Sequence, residues 1–362
     1  MAIPREPEWD LDPHTIGKHA VLRAYLNAWI PIMGQTQPRM VFIDGFAGPG
    51  RYRGGEDGSP IIAMKALIEH ESKHRVKQMK FLFVENEPTR AALLTQRVDE
   101  LRSHLPPGSD AGIRTGMFSA EIDGILDSLE AANQRLAPAL MMVDPFGVSD
   151  VPLQTLARFL KGTSKELYIS FMCESMQRFV DTEEFAPHLD AMFGSPAWRE
   201  SAGAADRMER LHRLYEERLR AIGAKYVLRF SVRSGGRHIY TLFFATKHPK
   251  GCDVMKQAMW KVAPEGDYTF NGKGLEQMTL SFFNGNTGEL DRILLDEYRD
   301  QPRVTVPELE AFMQSDRLRF HSGQLRQSLK RLEANGGITV DASTRTRKGT
   351  FPPTCELSFV RP

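Results

Sequence analysis

Apolar and polar positions fall in blocks along the chain, and block length separates strands from helices. Four short apolar runs, RMVFIDGFAG (39–48), MKFLFVEN (79–86), PALMMVDPFG (138–147) and KELYISFMCE (165–174), are separated by intervals that each hold a helix. Apolar runs of this kind fit strands buried on both faces, so the spacing predicts βα repetition and a parallel sheet covered by helices. Ahead of them, HTIGKHAVLRAYLNAWIPIMG places Ile16, Ala20, Leu22, Leu26 and Trp29 at roughly helical spacing, an amphipathic helix packed on the following domain. KYVLRFSVRSGGRHIYTLFFAT (225–246) carries two strand-like runs around Gly235-Gly236, the signal of a hairpin. Residues 175–222 are charged and helical and are expected as an insertion or cap over the mouth of a site.

The hairpin decides the fold class. Plain dinucleotide-binding sheets need no antiparallel ending, whereas class I S-adenosylmethionine (SAM) methyltransferases insert an antiparallel seventh strand beside the sixth. The expected fold is therefore α/β, a Rossmann-like class I methyltransferase sheet. From about residue 286 the pattern changes. TGELDRILLDEYRD sets Leu290, Ile293, Leu294 and Tyr298 on one helical face, TVPELEAFMQ gives a short second helix, and HSGQLRQSLKRLEANGG a third that stops at Gly336-Gly337. ITVDASTRTRKGTFPPTCELSFV follows as strand, basic tip and strand, the order of a winged helix-turn-helix domain. The expected divisions are an N-terminal helical segment (1–38), a methyltransferase-like domain (39–285) and a winged helix (286–362).

Composition narrows the picture only slightly. With 47 Lys and Arg against 46 Asp and Glu, any nucleic-acid partner must be met by a local patch. The three cysteines, Cys173, Cys252 and Cys355, lie far apart with no CxxC or Cys/His spacing, so neither a disulfide framework nor a metal site is expected. The N-terminus lacks the apolar run of a signal peptide and no stretch nears a membrane span, so a cytoplasmic, membrane-free protein is expected.

Four constellations carry candidate chemistry. In VFIDGFAGPGRYRGGEDGSPIIAMKAL a strand ends at Asp44, and Gly45, Phe46, Gly48 and Gly50 form a tight loop before a helix with Ser59 as N-cap and Pro60 as first residue. Such a strand–glycine loop–helix unit lets backbone approach a nucleotide-type ligand; its plainer reading is a βα turn. FLFVEN ends a strand in Glu85, an acid placed to accept hydrogen bonds from ribose hydroxyls, with RYRGGEDGSP lengthening the connection from the glycines. After the third strand, where methyltransferases often keep an acid for the adenine amine, the chain offers Met117-Phe118, either an apolar wall for the ring or packing. MMVDPFG ends the fourth strand in Asp144, Pro145 and Phe146, either a turn or an amine clamp: a carboxylate and a carbonyl accept from an exocyclic amine while the ring stacks on the extruded base. Lys18 and His19 are placed to approach the same ligand. Residues 317–348 hold eight basic residues and two acids, net +6, with Arg326, Lys330, Arg331, Arg345, Arg347 and Lys348 forming a stripe suited to nucleic-acid phosphates or, alternatively, to protein docking.

HTIGKHAVLRAYLNAW, the glycine-loop segment, FLFVENEPTRAALL, MMVDPFGV and YTLFFATKHPKGCDVMKQAMWKVAP, in order from residue 14 to about 283, resemble the three-Cys-motif partner protein (TcmP) family. That resemblance implies a class I methyltransferase-like fold, a C-terminal winged helix, and a separate three-Cys-motif protein, similar to a radical enzyme, encoded in shared bacterial operons. It assigns no substrate. DPFG alone is similar to the matching segment of tRNA N2-guanine dimethyltransferases, which would give Asp144 and Phe146 the holding of a guanine amine. Together these lead to a SAM-binding protein that methylates an amino group of a nucleic-acid base. The rivals are a non-catalytic adaptor presenting nucleic acid to the radical-enzyme partner, and a winged-helix regulator that senses a nucleotide.

Overall fold

The computed structural model describes residues 6–147, 150–234, 237–266, 268–270, 288–345 and 347–360. The Gly235-Gly236 turn of the expected hairpin lies outside these residues. Helix α1 (Pro13–Thr36) opens the fold and is buried on several sides, through Leu22, Tyr25, Leu26, Trp29 and Ile30 among others. Pro31 sits inside it and lacks the N–H that would bond the Asn27 carbonyl; His70 Nε2 meets that carbonyl instead, at 2.9 Å.

The chain then alternates: β1 (Met40–Asp44), α2 (Ser59–Ile68), β2 (Met79–Glu85), α3 (Pro88–Arg102), β3 (Asp110–Thr115), α4 (Phe118–Ala131), β4 (Ala139–Val143), α5 (Leu153–Phe159) and β5 (Lys165–Phe171). Every residue of β1, β4 and β5 is buried, as expected of strands covered on both faces. Helices α6 (Cys173–Phe179), α7 (Ala186–Phe193) and α8 (Arg207–Ala221) follow, then β6 (Tyr226–Ser234), β7 (Arg237–Thr246), α9 (Pro249–Val262) and the two-residue β8 (Thr269–Phe270).

The large sheet has the order β3-β2-β1-β4-β5-β7-β6-β8. β7 runs antiparallel to both β5 and β6, and β8 adds an edge strand beside β6 that the sequence pattern did not predict. Up to that edge, this is the class I methyltransferase order. Helices α1, α2 and α9 cover one face. The segment containing α7 and α8 covers the other, packing Leu189, Phe193, Trp198, Leu211 and Tyr215 into a second core with Phe171 and Phe243. That placement corrects the expected cap: the apolar stripe of 175–222 is used on the sheet, and none of its residues lines the cleft described below.

The C-terminal region consists of α10 (Gly288–Tyr298), β9 (Val304–Thr305), α11 (Val306–Met313), α12 (Leu325–Ala334), β10 (Ile338–Val340) and β11 (Glu356–Phe359), with the strands in an antiparallel sheet of order β10-β11-β9. α11 starts with a capping box, Thr305 and Glu308 bonding each other's backbone N–H. The region is tied to α9 by buried polar groups. Lys256 donates to the carbonyls of Met313, Ser315 and Leu318, and Asp253 accepts from Ser322 N at 2.7 Å. No helix among the described residues is long and apolar enough to cross a membrane.

Candidate functional site: a cleft at the switch point of the sheet

Strand order reverses between β1 and β4, and in open α/β sheets the crevice beyond the strand ends at such a point is where ligands bind. Here the cleft is lined by the 46–52 loop, Gly58 and Ser59, by Asp144, Pro145 and Phe146 after β4, by Met172 after β5, and by Trp9, Asp12, Thr15 and Lys18 from the N-terminal segment. The four constellations follow parallel strands and share one end of the sheet; the 46–50 loop and Asp144, Pro145 and Phe146 line the cleft, whereas Asp44, Gly45 and Glu85 do not.

The loop after β1 turns where only glycine is at ease. Gly48 and Gly50 have φ of +61° and +84°. Gly45 permits a close approach, since a Cβ there would lie 2.4 Å from the Phe118 ring. Phe118 is fully buried beneath that turn and stacks on Phe46, while Met117 is half exposed; neither lines the cleft. Helix α2 begins one residue earlier than expected: Gly58 is its N-cap and Ser59 its first residue, whose hydroxyl turns to Asp44.

Asp44 is completely buried. Its Oδ1 accepts from Phe46 N at 3.1 Å, and its Oδ2 is without a hydrogen-bond partner among the described residues. Burial outweighs the pull of the nearby Ser59 hydroxyl and of the Phe46 N–H and lifts its carboxyl to about 7. An orphaned buried acceptor beside a glycine loop fits a ligand cation or amine. Glu85 ends β2, 5% exposed, and accepts from Gly48 N at 2.8 Å and from Glu87 N at 2.9 Å. Each oxygen keeps a further lone pair for a ribose diol. Burial raises its carboxyl, opposed by those backbone donors and by Arg90.

Across the cleft, Asp144 Oδ2 accepts from Lys18 Nζ at 2.5 Å, with side chains 20% and 7% exposed. Lys18 is held there from behind: Tyr168 donates to its carbonyl at 2.9 Å, and Tyr240 donates to the carbonyl of His14 at 2.7 Å. His19 is buried and does not line the cleft, and desolvation together with the Lys18 charge pushes its imidazole down to about 3. The aromatic Phe146 faces out beside Trp9, edge to face at 5.4 Å.

Trp9 is the residue that pattern reading missed, because it stands in a polar, Pro-rich start with no periodicity. Its indole lies against Gly48, packs on Tyr52 at 6.0 Å, and has the Arg90 guanidinium 5.0 Å from its ring centroid. The strap carrying it is fixed by Arg53 N to the Trp9 carbonyl at 3.0 Å and by ion pairs of Glu6 with Arg53 and Glu8 with Arg97. Two further corrections concern charge and metal ligands. The basic stripe is partly neutralised by acids outside its sequence window, as Arg331 is bidentate on Asp291 (2.8 and 2.6 Å), Arg317 pairs with Glu297 and Arg319 with Glu289, while Arg345 pairs with Glu333. Arg326, Lys330, Arg347 and Lys348 stand exposed outside those pairs. Cys173, expected to stand apart from any histidine, adjoins His212 and His238.

Sheet order and cleft together define a class I methyltransferase-like fold. No family model matches the sequence, and no curated protein matches it. Among solved structures, the O-methyltransferase TomG from Streptomyces achromogenes, involved in tomaymycin synthesis and in complex with SAM, is 14% identical over 66% of this chain and 90% of that chain, with a TM-score of 0.33. Human methyltransferase 10 domain containing protein is 13% identical over 63% of this chain and 82% of its own, with a TM-score of 0.31. The fold assignment rests on this chain's own strand order.

Proposed function

We propose that the chain binds SAM in the switch-point cleft and methylates an amino group of a nucleic-acid base. The observation that carries this reading is the Lys18–Asp144 ion pair set beside Phe146, in the same cleft as the glycine loop. Asp44, the 45–50 loop and Glu85 offer an orphaned acceptor, close backbone and a carboxylate, which fit an ammonium, a polar chain and a ribose. SAM, when bound, supplies an electrophilic methyl on a sulfonium.

The residues of this chain supply position. An amine conjugated to a base ring is a weak nucleophile until its lone pair is aimed. Lys18 holds Asp144 Oδ2, leaving Oδ1 and a neighbouring backbone carbonyl to accept the two N–H bonds and turn the nitrogen towards the methyl donor. Phe146 offers a stacking face for a flipped base. The C-terminal unit of three helices and a small sheet is read as a winged helix that meets phosphates through Arg326, Lys330, Arg347 and Lys348, with Arg331 and Arg345 bracing it. The resemblance to TcmP adds a three-Cys-motif protein as partner.

A specific observation favours a second reading, a non-catalytic adaptor: Trp9 covers Gly48 and Lys18 occupies Asp144, so both ends of the cleft already have protein partners. Calorimetry with SAM separates the two. Binding in the micromolar range, with methyl transfer from labelled SAM to RNA or DNA that vanishes in Asp144→Ala while SAM binding survives, is the expected result. Absence of SAM binding overturns the enzyme reading and leaves the adaptor.

A further inference from the structure

On the sheet face opposite α1, three side chains far apart in sequence converge: Cys173 from the first turn of α6, His212 from α8 and His238 from β7. Their donor atoms all lie within 4.8 Å of one another. Cys173 Sγ is 3.4 Å from His212 Nε2, and Thr241 Oγ1 lies 3.1 Å from His212 Nε2, 2.9 Å from His238 Nε2 and 3.7 Å from Cys173 Sγ. We propose that Cys173, His212 and His238 bind a zinc ion, with Thr241 Oγ1 facing the fourth corner.

Zinc holds sulfur at about 2.3 Å and imidazole nitrogen at about 2.0–2.1 Å in a tetrahedron, which places neighbouring ligand atoms roughly 3.3–3.7 Å apart. The Cys173–His212 separation already has that length, His238 would close from within 4.8 Å, and the hydroxyl needs to give only a few tenths of an ångström. One thiolate with two imidazoles is a borderline-soft set, suited to zinc rather than to magnesium or calcium. The Glu209 carboxylate lies 3.8 Å from His212 Nδ1, too far for a hydrogen bond to the imidazole, and is itself held by Arg229 Nη1 at 3.0 Å. Its charge would offset part of the ion's. Cys173 and His212 are buried and His238 partly so, and the ion would sit largely away from solvent. Binding releases the thiol proton, and the ion ties α6, α8 and β7 together. Cys173 directly follows Met172, a wall of the cleft, so the metal would stiffen the wall from behind.

The rival account is a hydrogen-bonded cluster of thiol, imidazoles and hydroxyl needing no ion. The full-length chain, purified without chelator and analysed by mass spectrometry for metals, is expected to hold close to one zinc per chain. Chain refolded in cobalt(II) is expected to show thiolate-to-cobalt charge-transfer absorption. Cys173→Ser should abolish that band, and His238→Gln should lower metal content about tenfold or more while far-UV circular dichroism stays native. His238 is only partly buried, so this variant reports binding even where Cys173→Ser fails to fold. Native wild-type chain that carries no zinc and takes up no cobalt on refolding overturns the proposal, as does full metal content in a folded His238→Gln chain.

Discussion

The switch-point cleft and the C-terminal basic region handle charge in opposite ways. Around the cleft, the charged groups of the strand ends are largely buried: Asp144 lines it, held on Lys18, while Asp44 with an orphaned oxygen and Glu85 on two backbone donors stand outside its lining. In the C-terminal region charged groups are many and about half of the basic stripe is paired, as Asp291, Glu289 and Glu297 of α10 take up cations that a linear count leaves free. Burial makes each strand-end charge costly unless something meets it, so its partner can be inferred from chemistry. Exposure makes a surface charge cheap, so its number says little until its neighbours are known.

The largest expected effect probes the buried side. The carboxyl of Asp44 stands at about 7 in the fold against an ordinary value of 3.8. The folded state therefore holds a proton that the unfolded state gives up between those values. This contribution is intact below about pH 4 and shrinks as pH rises to about 7, by roughly 1.4 kcal/mol per unit, on the order of 4 kcal/mol in all. Asp44→Asn should be more stable than wild type at pH 8 and lose that advantage at pH 4, as read from urea midpoints; an advantage equal at both would place the proton elsewhere.

Next in size, Glu85→Ala should weaken SAM binding about 100-fold, or about 2.7 kcal/mol, in the same calorimeter. A change under threefold would move the ribose off this acid. Arg345→Ala breaks a mostly buried pair with Glu333 and should cost about 2 kcal/mol of stability, seen as a lower melting temperature, without changing the salt dependence of nucleic-acid affinity. The smallest energetic effect falls on the exposed side. The double variant Arg347→Ala/Lys348→Ala should leave the melting point within about 0.5 kcal/mol. Yet its log–log salt slope should fall by about 2, one for each phosphate no longer neutralised. An unchanged slope would assign this face to protein docking.

How far residues alone foretold this molecule follows from the same contrast. The central strands were legible because a strand buried on both faces is largely apolar, as the MVFI of β1 and the ALMMV of β4 are. That the glycine loop and Asp144 meet was legible because chain order in a doubly wound sheet brings the ends of β1 and β4 together at the switch point. Trp9 left no trace, since a strap held by Arg53, Arg90 and Arg97 needs no periodicity. The approach of Cys173, His212 and His238 left none either, because three elements converge there that no local spacing connects. The packing of Phe118 under Gly45 left no trace either, since it depends on a missing Cβ several elements away in the chain.

The two tyrosine bonds onto α1 have a consequence for how this chain can vary. Tyr240 and Tyr168 grip the carbonyls of His14 and Lys18, one turn apart, and Tyr25, seven residues further along, donates to Glu166 at 2.7 Å. These three points index the helix like notches on a key. A residue inserted or deleted between Lys18 and Tyr25 would rotate one end against the other by about 100° and carry the ammonium off Asp144. Side chains on the outer surface of α1 are free to drift, whereas its residue count between the notches is not.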